Sequence, residues 1–191
     1  MLKEKIYDFI ILVLRWYLAC YMIKYGWGKL AMTQFSVHDA SILELPLKEV
    51  DNFYVAWHLY SRSEFFNIST GIMEIIGGLL IIFNRTAIIG ALLILTILGQ
   101  IFIIDVSFTT DIRGYDLVVR ILGMILSALA ILFYYKKRII AAFKILTDNV
   151  STKFQYKWWI FLILPILGLL MDFVLGVLMI PIKLLLNGIF Q

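Results

Sequence analysis

Two oppositely charged side chains lie inside long apolar segments of this sequence, where each is costly to bury without a partner. Arg15 lies within the run from Ile6 to Tyr25, and Glu74 lies within the run that begins at Gly71. Ionisable residues in such runs usually face protein or a water-filled cavity, and they mark sites of binding or proton transfer. We expect Arg15 and Glu74 to pair near the middle of their segments. Such a pair either fixes the register of two helices or takes part in function.

A wider set of polar residues falls on the same helical faces as this pair. At a rise of about 1.5 Å per residue, Lys29 and Asp105 lie toward one end of their segments, beyond the Arg15–Glu74 pair. Cationic side chains there would attract an anion, and Glu74 would relay a proton. For Gln100, contact between helices is a better explanation than contact with a ligand. The predicted buried polar network, in which no catalytic residue is assigned, consists of Arg15, Lys29, Glu74, Gln100, Asp105 and Arg120.

The segments that hold these residues are long enough to cross a bilayer. The chain has 191 residues, of which 62% are hydrophobic, whereas a typical soluble domain is roughly 45–50% apolar. Each apolar run is close to the ~20 residues that a transmembrane helix needs. The predicted spans cover residues 6–25, 66–83, 87–106, 115–135 and 158–186. Pro165 and Pro181 should kink or end the last of them.

The pattern predicts an all-α membrane protein, with an antiparallel four-helix transmembrane bundle and a fifth, C-terminal hydrophobic helix. The bundle would occupy residues 1–138, a basic cytoplasmic connection 139–157, and the additional transmembrane segment 158–191. Lysine and arginine are concentrated in alternate loops, which by the positive-inside rule places the N-terminus in the cytoplasm and the C-terminus outside. Residues 26–65 would then form an extended outer loop, with a short interfacial helix from Val50 to Tyr60.

Several classes of function are disfavoured by the composition. A single cysteine, Cys20, provides neither an intramolecular disulfide nor a dithiol redox centre. The net charge of +4 is distributed over loops without a basic stripe that carries interleaved aromatic residues, so a nucleic-acid partner is not expected. His38 and His58 both lie in the predicted outer loop, and we therefore predict no metal site.

A series of short motifs resembles the DoxX family of small membrane proteins. The segment YGWGKL contains a G-x-x-K pattern, and a later segment reads G-x-x-E-x-x-G-G-L-L around Glu74. An Arg-Thr pair and a Gly-Ala-Leu triplet follow in the same order. These motifs lie at Gly26–Lys29, Gly71–Leu80, Arg85–Thr86 and Gly90–Leu92. The resemblance extends from about Phe9 to Tyr135.

The resemblance to DoxX implies a four-helix bundle in a bacterial inner membrane, with Arg15, Lys29 and Glu74 on the family pattern. Some members resemble subunits of a thiosulfate:quinone oxidoreductase. This chain departs from the family in its extended outer loop, from Thr33 to Phe65, and in its additional segment from Trp158 to Leu186. The resemblance therefore implies a fold more directly than a reaction.

Three functions remain open from the sequence, and whether the protein is an enzyme is left undecided. The leading hypothesis is a non-enzymatic scaffold, assembly or lipid-binding component, which contacts the bilayer and a protein partner and needs no cofactor. The alternative is a membrane subunit of a quinone- or sulfur-linked oxidoreductase, with quinone in a slot lined by Trp16, Tyr21 and Trp27. A small-solute transporter is less favoured, because the spans show no clear inverted repeat.

Overall fold

The computed structural model is α-helical throughout the residues that it describes, which are 2–34, 46–109, 112–148, 150–152 and 154–189. A short 3-10 turn covers Leu47–Glu49, and no strand occurs in these ranges. The helices are α1 (Leu2–Leu30), α2 (Asn52–Ser61), α3 (Glu64–Ile82), α4 (Ala87–Phe108), α5 (Ile112–Tyr134), α6 (Lys136–Thr147) and α7 (Ile160–Ile189).

Five of the described helices are long and apolar enough to cross a membrane. The candidate spans are Leu2–Leu30, Glu64–Ile82, Ala87–Phe108, Tyr115–Tyr134 and Ile160–Pro181. The prediction of an all-helical, multi-pass membrane protein is therefore confirmed. The first span is longer than predicted at both ends, and its extension to Leu30 brings Lys29 into the helix.

The chain divides into two compact units, Met1–Ile145 and Leu146–Gln191. In the first unit, α1 packs on α3, α3 on α4, α4 on α5, and α5 on α1, so the four helices close a ring of contacts. Helix α2 packs against α3 and α4. The core inside this ring is apolar and fully buried, and it includes Leu18, Met22, Ile81, Ile94, Leu98, Met124 and Ile131.

Glycine residues set the register between α1 and α3. A Cβ atom on Gly26 would lie 2.5 Å from the carbonyl oxygen of Gly71, and one on Gly71 would lie 2.8 Å from that of Gly26. A Cβ on Gly78 would lie 3.1 Å from the carbonyl oxygen of Ala19. The contacts run in opposite directions along the two helices, which are therefore antiparallel. Small residues allow such close backbone approach in membrane helices.

The predicted helix of the outer loop forms as α2, and side-chain caps fix where it and α3 begin. The Asp51 carboxylate accepts a hydrogen bond from the Phe53 backbone amide at 2.8 Å. The Ser63 hydroxyl accepts one from the Phe66 amide at 3.3 Å. Each cap satisfies an amide that has no partner within its own helix. Residues 35–45 of the predicted outer loop, including His38, lie outside the described residues.

The second unit contains α7, which continues through both of its prolines. Pro165 and Pro181 lie inside the helix rather than at its ends, so they do not terminate it as the sequence had allowed. No side chain in the span Ile160–Pro181 is buried. The connection predicted over residues 139–157 is helical in its first part, where α6 runs from Lys136 to Thr147.

Candidate functional site

A buried ion pair joins the end of α1 to the middle of α3. The Lys29 ammonium donates to Glu74 Oε1 at 2.6 Å, and the two residues are 3% and 0% exposed. The close approach of Gly26 to Gly71 holds the two helices near enough for the lysine side chain to reach Glu74. Glu74 Oε2 is buried and has no hydrogen-bond partner among the described residues. A buried carboxylate oxygen without a partner is unusual, because nearly all buried polar atoms are paired.

The ion pair lies in the wall of a cavity of about 200 Å³ inside the first unit. Helices α1 to α5 all contribute to the lining. The aliphatic part of the wall comes mainly from α4, with Leu93, Ile97, Leu98, Ile101 and Ile104, and α3 and α5 add Met73, Leu117 and Ile121. The aromatic part consists of Tyr25, Trp57, Tyr60 and Phe66, and the remaining polar lining includes Gln34, Thr70, Thr96, Gln100 and Asp105. The cavity thus combines an apolar wall with a small number of polar groups, as ligand sites usually do.

The cavity reaches the surface of the helical ring at one side. Met73 is 47% exposed, and Thr96 and Gln100 are exposed as well, although all three line the cavity. Thr96 and Gln100 are four residues apart on α4 and therefore share a face. The cavity therefore opens toward this face of α3 and α4.

Four of the six residues of the predicted polar network line this cavity: Lys29, Glu74, Gln100 and Asp105. Asp105 is 3% exposed and interacts with the Lys29 ammonium through its charge. Arg120 is exposed and lies beside Tyr25, outside the lining.

The predicted pairing of Arg15 with Glu74 is wrong. The Arg15 guanidinium donates to the Ile81 carbonyl at 2.8 Å, to the Ile82 carbonyl, and to Asn84 Oδ1 at 2.7 Å. A longer contact of 3.5 Å reaches the Tyr135 hydroxyl. Arg15 is only 3% exposed. Its donors bind acceptors at the C-terminal end of α3, away from Lys29 and Glu74.

The register of α1 against α3 explains why the sequence suggested the wrong partner. Because Gly26 faces Gly71 and Ala19 faces Gly78, the antiparallel helices place Arg15 beside Ile81 rather than beside Glu74. The offset along α3 is about 10 Å at 1.5 Å per residue. The last carbonyl groups of a helix have no internal partners and carry partial negative charge, which favours a cation there. Depth estimates for single helices do not contain this register.

The aromatic residues of the cavity also differ from those predicted. Trp16 and Trp27 are exposed, at 51% and 68%, and neither they nor Tyr21 line the cavity. Tyr21 instead contacts Tyr17, with ring centroids 5.0 Å apart. The lining residue Trp57 comes from the predicted interfacial helix, where it stacks on Phe53 at 4.1 Å. The aromatic residues of this segment are evident in the sequence, where they indicate a helix at the membrane surface rather than a cavity lining.

The charges of the cavity favour a particular class of ligand. Among the described lining residues there are two carboxyl groups, Glu74 and Asp105, and one ammonium group, Lys29. The ammonium is already bound to Glu74. The described lining therefore has no unpaired cation that could bind an added anion. Its polar groups are rich in hydrogen-bond acceptors. In the described residues no cluster of three or more His, Cys, Asp or Glu side chains has the geometry to hold a metal ion.

These features define an α-helical multi-pass membrane protein with a polar, partly enclosed cavity between its helices. The sequence model of the DoxX family, whose description is DoxX, matches residues 10–105, about half of the chain. The chain therefore belongs to the DoxX family, as its motifs predicted. The matched segment contains Lys29, Glu74 and Asp105. No curated protein and no solved structure matches the chain.

Proposed function

We propose that this protein is a ligand-binding component of a membrane, and that its cavity holds the head of a small amphipathic molecule. The observation that carries the proposal is Glu74, a fully buried carboxylate that lines a cavity and has one oxygen unpaired among the described residues. An ion pair that served only to join two helices would be expected to have all its acceptor sites filled. A site that exchanges a ligand is expected to keep an acceptor available for the ligand.

A neutral ring compound of the quinone class fits the lining better than a sulfur oxyanion. An anion would meet two carboxyl groups and an ammonium that is already paired. A ring would instead contact the aromatic side chains of Trp57, Tyr60 and Phe66. The volume of about 200 Å³ is below the range of about 300–1,000 Å³ for drug-sized ligands. The cavity is therefore suited to a head group whose tail remains in the bilayer.

The proposed arrangement in the membrane is a four-helix bundle of α1, α3, α4 and α5, with α7 as a fifth span. The positive-inside rule supports a cytoplasmic N-terminus and an external C-terminus, since Arg85, Lys137 and Arg138 would share the cytoplasmic side with the N-terminus. The Lys29–Glu74 cavity would then lie in the outer half of the bilayer. A bacterial inner membrane is the location that the family resemblance suggests.

Two roles are compatible with such a site. In the first, the protein binds the amphiphile without changing it and acts as a lipid-binding or assembly component with a protein partner. In the second, it is the quinone-binding subunit of an oxidoreductase whose partner supplies the electrons. The position of Glu74 supports the second role, because a buried carboxylate beside a bound quinone can accept or deliver a proton.

The experiment that tests the proposed function compares a cavity-filling variant with a matched control. Thr70→Phe places a ring inside the cavity, whereas Ile72→Phe adds one on the exposed face of the same helix. Native mass spectrometry with lipid extraction, on protein in a mild detergent, would show one amphipathic ring compound per chain in wild type and in Ile72→Phe. Thr70→Phe should lose it. Bulk phospholipid alone in all three proteins would contradict the proposal.

A further inference from the structure

The unpaired oxygen of Glu74 constrains the chemistry of the ligand beyond its class. An ionised carboxylate oxygen only accepts hydrogen bonds. Lys29 donates to Oε1, and Oε2 is buried without a donor among the described residues. Burying this oxygen without a donor costs free energy, because the hydrogen bonds that it would make to water are lost. Any molecule that occupies the cavity gains most if it brings a hydrogen-bond donor to this oxygen.

The rest of the lining reinforces this demand. Asp105 adds a second buried carboxyl group. The Thr96 hydroxyl already donates to the Leu92 carbonyl at 3.0 Å and so presents its lone pairs. A water molecule would meet the carboxylate but would leave the apolar part of the wall without contacts. A hydroxyl group on an apolar ring satisfies the carboxylate and the apolar wall together.

We propose that the ligand of this cavity donates a hydrogen bond to Glu74 Oε2, so that the site selects a hydroxyl-bearing ring, the quinol form, over the carbonyl or ether form of the same ring. This inference rests on the proposed function and adds the redox form that is bound. A quinone carries only acceptors at its ring oxygens, so it would place a lone pair against the carboxylate. A quinol has the same ring and size but carries hydroxyl groups.

The test uses three short-chain probes with the same carbon skeleton: a 1,4-benzoquinol, its benzoquinone, and its dimethyl ether, which keeps the aromatic ring of the quinol but has no hydroxyl donor. Affinities for protein in phosphatidylcholine nanodiscs would be measured anaerobically by microscale thermophoresis. Wild type should bind the quinol at least about tenfold more tightly than the other two, the ratio expected from one hydrogen bond to a charged group. Glu74→Gln should remove or reverse the preference, because the amide can donate to a carbonyl oxygen. The matched control Glu64→Gln, on the same helix but outside the cavity lining, should retain it.

The outcomes separate this inference from the proposed function. Equal affinities for the three probes in wild type, abolished by Thr70→Phe, would retain the cavity as a ligand site and overturn the selectivity for the quinol. A quinol preference that is unchanged in Glu74→Gln would also overturn it, because the donor would then be bound elsewhere. Absence of binding by every probe in wild type would contradict both proposals. The wild-type ratio of quinol to ether needs no variant, so it tests the inference even if Glu74→Gln does not fold.

Discussion

Arg15 and Lys29 are buried to the same degree on the same helix, yet their surroundings differ in kind. Each is 3% exposed, and each reaches from α1 to α3. Arg15 spreads its donors over backbone carbonyls at the end of α3, together with Asn84. Lys29 binds a carboxylate whose second oxygen faces a cavity without a described partner. Burial of a charge does not by itself distinguish a structural role from a functional one; the completeness of its hydrogen bonding does.

The comparison implies that the two ends of the α1–α3 pair contribute to different properties. The Arg15 end should contribute to stability, since its hydrogen bonds complete the terminus of a helix. The Lys29 end should contribute to binding, since a buried acceptor without a donor reduces stability until a ligand supplies one. Substitutions at the two ends therefore test the distinction directly.

The largest effect is expected from Arg15→Met. The change removes the donors of the Ile81 and Ile82 carbonyls, and after the lower desolvation cost of methionine is included we expect a loss of about 3 kcal/mol in the free energy of unfolding. Equilibrium unfolding in a mixed detergent would measure it. Lys24→Met replaces an exposed cation of the same helix and should change the stability by less than about 0.5 kcal/mol. Similar losses in the two variants would contradict the structural role of Arg15.

Gly26→Ala should have the next largest effect, because it separates α1, which carries both cations, from α3. The new Cβ would lie 2.5 Å from the Gly71 carbonyl oxygen and 2.7 Å from Ile75 Cγ1, and backbone cannot move aside cheaply. We expect a loss of about 2 kcal/mol. Gly99→Ala is the control, since a Cβ there meets no atom within 4 Å. Equal melting temperatures for the two variants would show that the close crossing does not determine the packing.

A double-mutant cycle measures which cation is coupled to Glu74. Lys29→Met combined with Glu74→Gln should show a coupling energy of about 1 kcal/mol or more, because the two side chains are in contact. Arg15→Met combined with Glu74→Gln should be additive within about 0.5 kcal/mol, because the sites share no partner. Recovery of stability in the Arg15/Glu74 double variant would instead support the Arg15–Glu74 pair that the sequence suggested.

The smallest effect is expected where a hydrogen bond is exposed. The Tyr134 hydroxyl donates to Asp8 Oδ1 at 2.7 Å in an exposed hydrogen bond, although the tyrosine ring itself is half-buried. Tyr134→Phe removes this bond and should lower stability by less than about 0.5 kcal/mol, because water replaces it. The melting temperature would be compared with that of Tyr115→Phe, an exposed tyrosine of the same helix. A loss as large as that of Arg15→Met would show that burial does not govern these contributions.

The helices and part of the site were predictable from local patterns, whereas partners across helices were not. Hydropathy predicted the five spans. Glu74 was identifiable because a charge in an apolar run is conspicuous on its own, and Lys29 because it continues the helical spacing of Arg15 beyond the predicted span. The partner of Arg15 depends on the register of α1 against α3. Trp57 lines the cavity because α2 packs onto α3 and α4. Neither the partner of Arg15 nor the position of Trp57 in the cavity can be predicted from a single segment of the sequence.

The most direct test of the central distinction is to measure the retained small molecule in Arg15→Met and in Lys29→Met by native mass spectrometry with lipid extraction. We predict that Arg15→Met, although less stable, keeps its amphipathic ring compound in one-to-one ratio at temperatures where it remains folded. Lys29→Met should lose the compound while remaining folded. Retention by Lys29→Met, or loss by both folded variants alike, would contradict the account that one buried cation supports the fold and the other supports the binding site.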